Sequence, residues 1–562
     1  IHQTKRLTVQ SAEDILYTPL NVFNNGFIRL VDYMGGDDAI TYAATGGVGK
    51  ELIGSNIDTV DFFNYLHNNG IPDPFDFVQV KLHLEIPIST ALFWVYRKQF
   101  RINEYSGRYS EMINKMQTYD KGDLASLFES AGEKVSDRKL ESLVELISRV
   151  QDQSRAGYEI MLSGNFAREL ARIGLPLSNY TSFYLSANFY DLLNTIELTR
   201  KRLKNDPDLN EIGEIINEIL TSIAPKAVES FWSRKESDLE IKVNYDLLEE
   251  NPNLALRYGL NQTKRLTVQN AEEDLFVPQF FLENNWFMPT DYMGSDQSIV
   301  QSARVSYGAG TKQVSEDAVL IRYLRRHQHT TPFEHVSLQF EAKTPIFVSP
   351  RQCLRHRTMN REGVLGNFIP LKEWYNIPEE QIRKQSRSNR QGRGNKVDEL
   401  AKEMINSNLG ATFKSQAWAI SELEGTILPD YIKFGLYGVG HLNRWSANQD
   451  LHNAFKFLNL RNDPHAQFEI QELAKKYQGF VSKVAPIAAQ AWLNYEKNAI
   501  RIHDNEKYFI IRMLKEGKTE IPLEWFREKG WILKDGGTES EKPNREASEL
   551  MEKIEQLLRT QT

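Results

Sequence analysis

The chain has 562 residues, which at roughly 150 residues per domain predicts three or four domains, or two larger ones. Apolar residues at 41% and charged residues at 25% exclude wholesale disorder. The 68 basic and 75 acidic residues leave a net charge of −7 and a pI near 6.0, so no global basic field draws the chain to nucleic acid. Mean hydropathy is −0.49, and no apolar run reaches the roughly 18 residues that a membrane-spanning helix needs. Ile1 to Arg6 lack the apolar core of a secretory signal, and the single cysteine, Cys353, forbids an intrachain disulfide or a multi-cysteine metal site. A soluble cytoplasmic protein is expected.

Residues 3–10 read Gln-Thr-Lys-Arg-Leu-Thr-Val-Gln, and residues 262–269 repeat them at an offset of 259. The same offset carries Asp32-Tyr33-Met34-Gly35 onto Asp291-Tyr292-Met293-Gly294, and an offset of 258 carries Pro74-Phe75-Asp76 onto Pro332-Phe333-Glu334. After each of the latter, apolar and polar residues alternate. Val78, Val80, Leu82 and Leu84 interleave with Gln79, Lys81, His83 and Glu85. Val336, Leu338, Phe340 and Ala342 interleave with Ser337, Gln339, Glu341 and Lys343. A period of two predicts a half-buried strand in each place. Matches in one order at one spacing mark a duplicated domain. Copy one is placed at 1–232, a charged linker at 233–259, copy two at 260–500 and a polar C-terminal extension at 501–562, with a closing helix near Glu546–Leu558. Each copy runs from strand into a long breaker-poor stretch, Asp137–Arg172 and Asp463–Tyr495, which predicts an α+β fold.

The densest chemistry is Arg351-Gln352-Cys353-Leu354-Arg355-His356-Arg357, after an apolar segment Ile346–Val348 read as a strand. Guanidinium forks suit phosphates and carbonyl oxygens, although a solvated basic turn has the same composition. His327, His329 and His335 with Glu334 lack the helical spacing of a zinc site, so no metal is expected, and a capped helix end with polar ligand contacts fits better. In copy one, Glu104-Tyr105-Ser106-Gly107-Arg108 offers a hydroxyl, an unobstructed amide and a guanidinium, a cradle for a phosphate monoester. Arg168 and Arg172 are spaced to share a helix face. In copy two, Arg461 follows an apolar run and needs an anionic or carbonyl partner, and Asp463-Pro464 reads as a helix start.

Together these motifs resemble flavin-dependent thymidylate synthase, duplicated. The resemblance rests on Arg351-Gln352 with Arg355-His356-Arg357, on the His-x-Thr-Pro-Phe-Glu-His stretch before it and on Asn103 to Ser110. It rests equally on Leu458 to Arg461 with Asp463 to Gln467, on Ala303-Arg304-Val305-Ser306 and on Ala171-Arg172-Ile173. It implies C5 methylation of dUMP to dTMP with FAD, methylenetetrahydrofolate as carbon donor and NADPH as reductant, in a homotetramer. The resemblance assigns Gln352, Arg355, Glu104, Ser106, Gly107, Arg108, Arg172 and Arg461 to the nucleotide, with Arg461 and Arg355 catalytic. To the flavin it assigns Ser306, His329, Thr331, Arg355, His356, Arg357, Glu104, Asn188 and Asn194.

Each copy departs from that pattern. Copy one carries Arg97-Lys98-Gln99 at the Arg-His-Arg position, Thr45-Gly46-Gly47 at the early Arg-Val-Ser and Thr199 at the later Arg. Copy two carries Glu362-Gly363-Val364-Leu365-Gly366 at the phosphate cradle, keeping only the Glu, and Gly425 in place of Arg172. These losses are complementary, so one composite site is expected where copy one meets copy two. A pair of chains would then imitate the tetramer. Two alternatives remain: a related flavin enzyme modifying another pyrimidine nucleotide, and a non-catalytic nucleotide- or flavin-binding protein. Cys353 reads as a small buried side chain rather than a nucleophile.

Overall fold

The computed structural model describes residues 1–562 apart from 96, 98, 106–110, 131, 165–170, 173–174, 203–205, 238, 245, 251–258, 306–313, 349–352, 354–358, 365–368, 370, 386–392, 424–439, 465, 501, 519, 529–530, 535–540, 544 and 560–562. It divides into two compact units, Ile1–Trp492 and Leu493–Thr562. Among the described residues no helix is long and apolar enough to cross a membrane.

The larger unit holds both copies, each built on a five-stranded antiparallel sheet. Copy one contributes β1 (His2–Thr4), β2 (Leu20–Val22), β3 (Gly26–Met34), β4 (Gln79–Pro87), β5 (Arg101–Glu104) and β6 (Tyr180–Asn188). Its sheet runs β2-β3-β4-β6-β5. Copy two contributes β7 (Asn261–Thr263), β8 (Gln279–Phe281), β9 (Asn285–Met293), β10 (Ser337–Pro345), β11 (Asn360–Glu362), a small hairpin β12 (Arg383–Gln385) and β13 (Arg393–Lys396), and β14 (Leu442–Asp450). Its sheet runs β8-β9-β10-β14-β11, the same order strand for strand. Helices joined to these sheets confirm the α+β class.

The alternation read from sequence sets the core. Val80, Leu82, Leu84 and Ile86 of β4 join Phe183 and Leu185 of β6 against Ile212, Ile216 and Ile219 of the helix Pro207–Ile223. Phe340 of β10 packs on Tyr477 of the corresponding helix Phe468–Val484. In both copies a second helix follows directly, Pro225–Ser233 and Pro486–Trp492, because a proline suits the first helical position and breaks the preceding helix. The stretch expected as one helix from Asp463 is therefore broken into Phe468–Val484 and Pro486–Trp492, with a π-helical segment at Leu493–Lys497, and none of these begins at Asp463-Pro464. That pair forms a turn, with Gln467 capping the helix from Phe468, the point from which Ile470 and Leu473 are buried. The Asp137 stretch likewise ends at Ser163, before Gly164. Ile346–Val348 is a turn and not a strand, because the chain folds back after Pro345 through the Val348 N–H to Pro345 O bond of 2.9 Å.

The repeated motifs join the copies. β1 pairs with β7, and each motif arginine is buried inside the opposite copy. Arg6 donates to Tyr292 O at 3.0 Å and Leu266 O at 2.9 Å, while Arg265 donates to Tyr33 O and Leu7 O at 2.8 Å each. Glu13 and Glu272 lie 3.3 and 3.2 Å from Arg265 and Arg6. The carboxylate of Asp32 accepts from the Gly294 amide at 3.0 Å, and that of Asp291 from the Gly35 amide at 3.2 Å. Both glycines have φ of 81°, and a Cβ on either would lie 2.9 Å from a neighbouring side chain, which explains the repeated Asp-Tyr-Met-Gly.

The smaller unit has its own core of Phe509, Met513, Trp525, Phe526, Ala547, Leu550 and Ile554. It contains the hairpin β15 (Ile532–Lys534)–β16 (Glu541–Pro543) and ends in the helix Arg545–Arg559, around the expected closing helix.

Candidate functional site

The ladders give the two copies a residue-by-residue correspondence. Gln79 faces Asn188 and Ser337 faces Asp450, so Asn188 corresponds to Asp450, and eleven residues further Thr199 corresponds to Arg461, as expected. At the edge strands Arg101 faces Ser186 and Asn360 faces Asn448, its counterpart. Asn360 thus matches Arg101, Glu362 matches Asn103 and Gly363 matches Glu104. The expected pairing of Glu362 with Glu104 is off by one. Glu362 is accordingly buried, whereas Glu104 is exposed.

The polar faces of the sheets meet the opposite copy. Lys81 is fully buried, with Nζ 3.1 Å from Gln301 Oε1 and 3.4 Å from Ser298 O of the helix Asp296–Arg304. Burial brings its ammonium down to about 8, against the pull of Asp32. β5 lies against the turn Thr331–His335 of copy two. Across that junction Asn103 Nδ2 donates to Ser302 O, and Ser186 Oγ lies 2.7 Å from His335 Nδ1. Burial holds the His335 imidazole well below its ordinary pKa, with Lys81 and Arg101 adding to the effect, so the ring is neutral.

Beside this junction a cavity of about 570 Å³ draws its walls from both copies. His83, Glu85, Tyr105, Ser182 and Tyr184 come from copy one, and Gln301, Arg304 and Val305 from copy two. Tyr105 directly precedes the expected phosphate loop, and Val305 directly precedes Ser306. The His83 ring stacks on Tyr184 at 4.5 Å, receives Arg29 at 2.9 Å and lies 2.8 Å from Ser182 Oγ. Burial, with Arg29 and Lys81 nearby, lowers His83 to about 3. A smaller cavity of about 290 Å³ lies among Trp374–Glu379 and Asn406–Gly410 and holds none of the expected site residues.

The expected residues fall into two groups. Glu104 accepts from Thr181 Oγ1 at 2.7 Å. Although much of the residue is exposed, desolvation of its carboxyl raises it, while Thr181 and the nearby Arg172 oppose that shift, which places Arg172 within electrostatic reach of Glu104. Asn188 accepts from Gln79 Nε2 at 2.5 Å, and Asn194, exposed, donates to Tyr190 O at 2.9 Å. Thr331 opens the turn that β5 meets; His329 is exposed two residues earlier. Arg461 is half-buried on the last turn of the helix Leu451–Arg461, within electrostatic reach of Cys353. Ser106, Gly107, Arg108, Arg168, Ser306, Gln352, Arg355, His356 and Arg357 lie outside the described residues. Cys353 is buried and free, and burial pushes its thiol up to about 12 against Arg361 and Arg461, which favours the protonated thiol.

The mirror position is closed. Thr45 and Gly46, counterparts of Arg304 and Val305, meet Val364, the counterpart of Tyr105: Thr45 bridges to Val364, and a Cβ on Gly46 would lie 3.0 Å from its side chain. Glu341, the counterpart of His83, so crowds Gly47 that a Cβ there would lie 2.1 Å from its carboxylate. Leu248 of the linker, 1% exposed, packs beside Gly46, and Arg444 donates to Glu250 O at 3.4 Å.

Sequence reasoning missed the cavity residues His83, Ser182, Tyr184 and Gln301. For His83 the one signal was the polar phase of the strand alternation; Ser182, Tyr184 and Gln301 reach the cavity from β6 and from the helix Asp296–Arg304. The cavity volume falls in the range of cofactor sites, and its flat rings and guanidinium fit an aromatic, anionic group such as FAD.

The Thy1 family, described as thymidylate synthase complementing protein, matches residues 29–227 and again 290–487. A flavin-dependent thymidylate synthase of Wolbachia pipientis wMel is 39% identical over 235 residues, 42% of this chain and 82% of that protein. The enzyme of the same name from Treponema denticola is 39% identical over 262 residues, 45% of this chain and 96% of its own length. A solved UMP/dUMP methylase PolB from Streptomyces cacaoi, bound with 5-Br dUMP, is 21% identical with a TM-score of 0.35, over 38% of this chain and 97% of that one. The chain belongs to the thymidylate synthase complementing protein family, the flavin-dependent thymidylate synthases, and is an enzyme of that family that carries its domain twice.

Proposed function

We propose that the chain converts dUMP to dTMP at a composite site formed within one chain between copy one and copy two. The observation that carries this reading is the cavity whose walls come from both copies, with Tyr105 leading to one half-set and Val305 to the other. Its counterpart is filled by Val364, Glu341 and Leu248. Ser106, the Gly107 amide, Arg108 and Arg172 offset the dianionic phosphate, and Gln352 and Arg355 complete the nucleotide contacts. Arg461 stands at the polar edge of the pyrimidine, where it stabilises negative charge as the ring carbon becomes nucleophilic. Arg355, His356 and Arg357 hold FAD together with Ser306, His329, Thr331, Glu104, Asn188 and Asn194. A bound FAD supplies the redox chemistry, with NADPH as reductant and methylenetetrahydrofolate as carbon donor. Two chains pair into a pseudo-tetramer with one working site each.

The purified chain should show a flavin absorbance spectrum and form dTMP from dUMP, methylenetetrahydrofolate and NADPH, read by chromatography. Absence of flavin and of product would overturn the reading. Mixing an Arg108→Ala chain with an Arg355→Ala chain should restore no turnover; recovery would place the site between chains.

A further inference from the structure

We propose that Arg101 is a positioning residue that ties the two half-sets together, an inference that rests on the composite site described above. Arg101 opens β5, and its side chain is only 17% exposed. Nη1 donates to Gln79 Oε1 at 2.9 Å, and Gln79 Nε2 donates onward to Asn188 Oδ1 at 2.5 Å. On the other side, Arg101 Nε lies 3.8 Å from Asp450 Oδ2 of copy two. Asp450 caps the helix that ends in Arg461, accepting from Asn453 N at 2.9 Å and from Asn453 Nδ2 at 2.7 Å. One guanidinium therefore reaches a flavin-set residue of copy one and the start of the helix bearing Arg461 of copy two.

The surroundings require a cation there. Asp76, Asp191 and Glu334 are each raised by burial and each opposed by Arg101. Asp450 adds a fourth carboxylate and raises Glu334, which Lys456 also opposes. Without Arg101 these groups repel one another across the junction. The mirror junction has no equivalent pair, because Asn360 stands at the place of Arg101 and Asn188 at the place of Asp450. The guanidinium link therefore occurs on the side of the open cavity.

The test compares Arg101→Met and Arg101→Lys with the wild-type chain in flavin retention, kcat and KM for dUMP, and thermal unfolding. Arg101→Met should lose roughly tenfold or more in kcat/KM, chiefly through kcat, and release flavin on dilution. Arg101→Lys should recover to within about threefold of wild type, since it keeps the charge but not the fork. If Arg101→Met does not fold, Gln79→Leu breaks the next link and should weaken flavin retention. Folded Arg101→Met with wild-type turnover and flavin retention would overturn the proposal, as would Gln79→Leu with unaltered flavin affinity. A wild-type chain with neither flavin nor turnover would instead overturn the functional reading beneath it.

Discussion

The two junctions between the copies share one backbone plan and have opposite contents. On one side His83, Tyr105, Tyr184, Arg304 and Val305 surround a cavity of about 570 Å³. On the other, Glu341, Val364, Ser446, Thr45 and Gly46 occupy the same ladder positions, and Val364 and Leu248 pack into the space. In a symmetric assembly every substitution acts at both junctions. Duplication in one chain removes that coupling, so one junction can keep its polar and aromatic walls while the other is filled for packing. The Arg6 and Arg265 clasp remained symmetric because each half holds the other copy in place.

That contrast can be broken in graded ways. Arg6→Met and Arg265→Met should each cost about 3–5 kcal/mol in urea unfolding, and by similar amounts, because each leaves buried carbonyls and a glutamate without their partner. A large inequality would mean that the clasp, too, has diverged. Leu248→Ala should cost about 2–3 kcal/mol through the cavity it leaves, with kcat/KM for dUMP unchanged, because it lies at the filled junction. Loss of turnover at constant stability would place that junction in the reaction.

Asp76 tests the electrostatics. Burial, Asp191 and Asp73 push its carboxyl up to about 7 from an ordinary 3.8, so its contribution to stability is fully present below the unfolded value and is lost as pH rises through 7. Asp76→Asn should therefore exceed wild type by on the order of 4 kcal/mol at pH 8 and match it near pH 4, measured by denaturant unfolding. An advantage that does not grow between those values would contradict the assignment. Smallest of all, Cys353→Ala should leave turnover within about twofold and abolish an already slow reaction with alkylating reagents, since the thiol is buried and protonated.

Much of this was legible in the sequence. The alternation in β4 and β10 gave strands with one apolar face, and the repeated motifs marked two copies. What alternation could not reveal was that the polar phase is buried too: Gln79 is fully buried, and Lys81 is fully buried with its ammonium on Gln301 of the opposite copy, a contact between residues over 200 positions apart. The one-residue slip at Glu362 arose because a glutamate stands beside the true counterpart, Gly363, and only the ladder to Ser446 resolves it. Asp463-Pro464 had the composition of a helix start, yet burial of Ile470 and Leu473 sets the helix four residues later. Local chemistry named the candidate residues; pairing across the copies determined their neighbours.

The central claim is most directly tested by titrating the flavin-loaded chain with dUMP in a calorimeter. The account predicts one nucleotide bound per chain, lost on either Arg108→Ala in copy one or Arg355→Ala in copy two. Two nucleotides per chain, or binding that survives both substitutions, would contradict it.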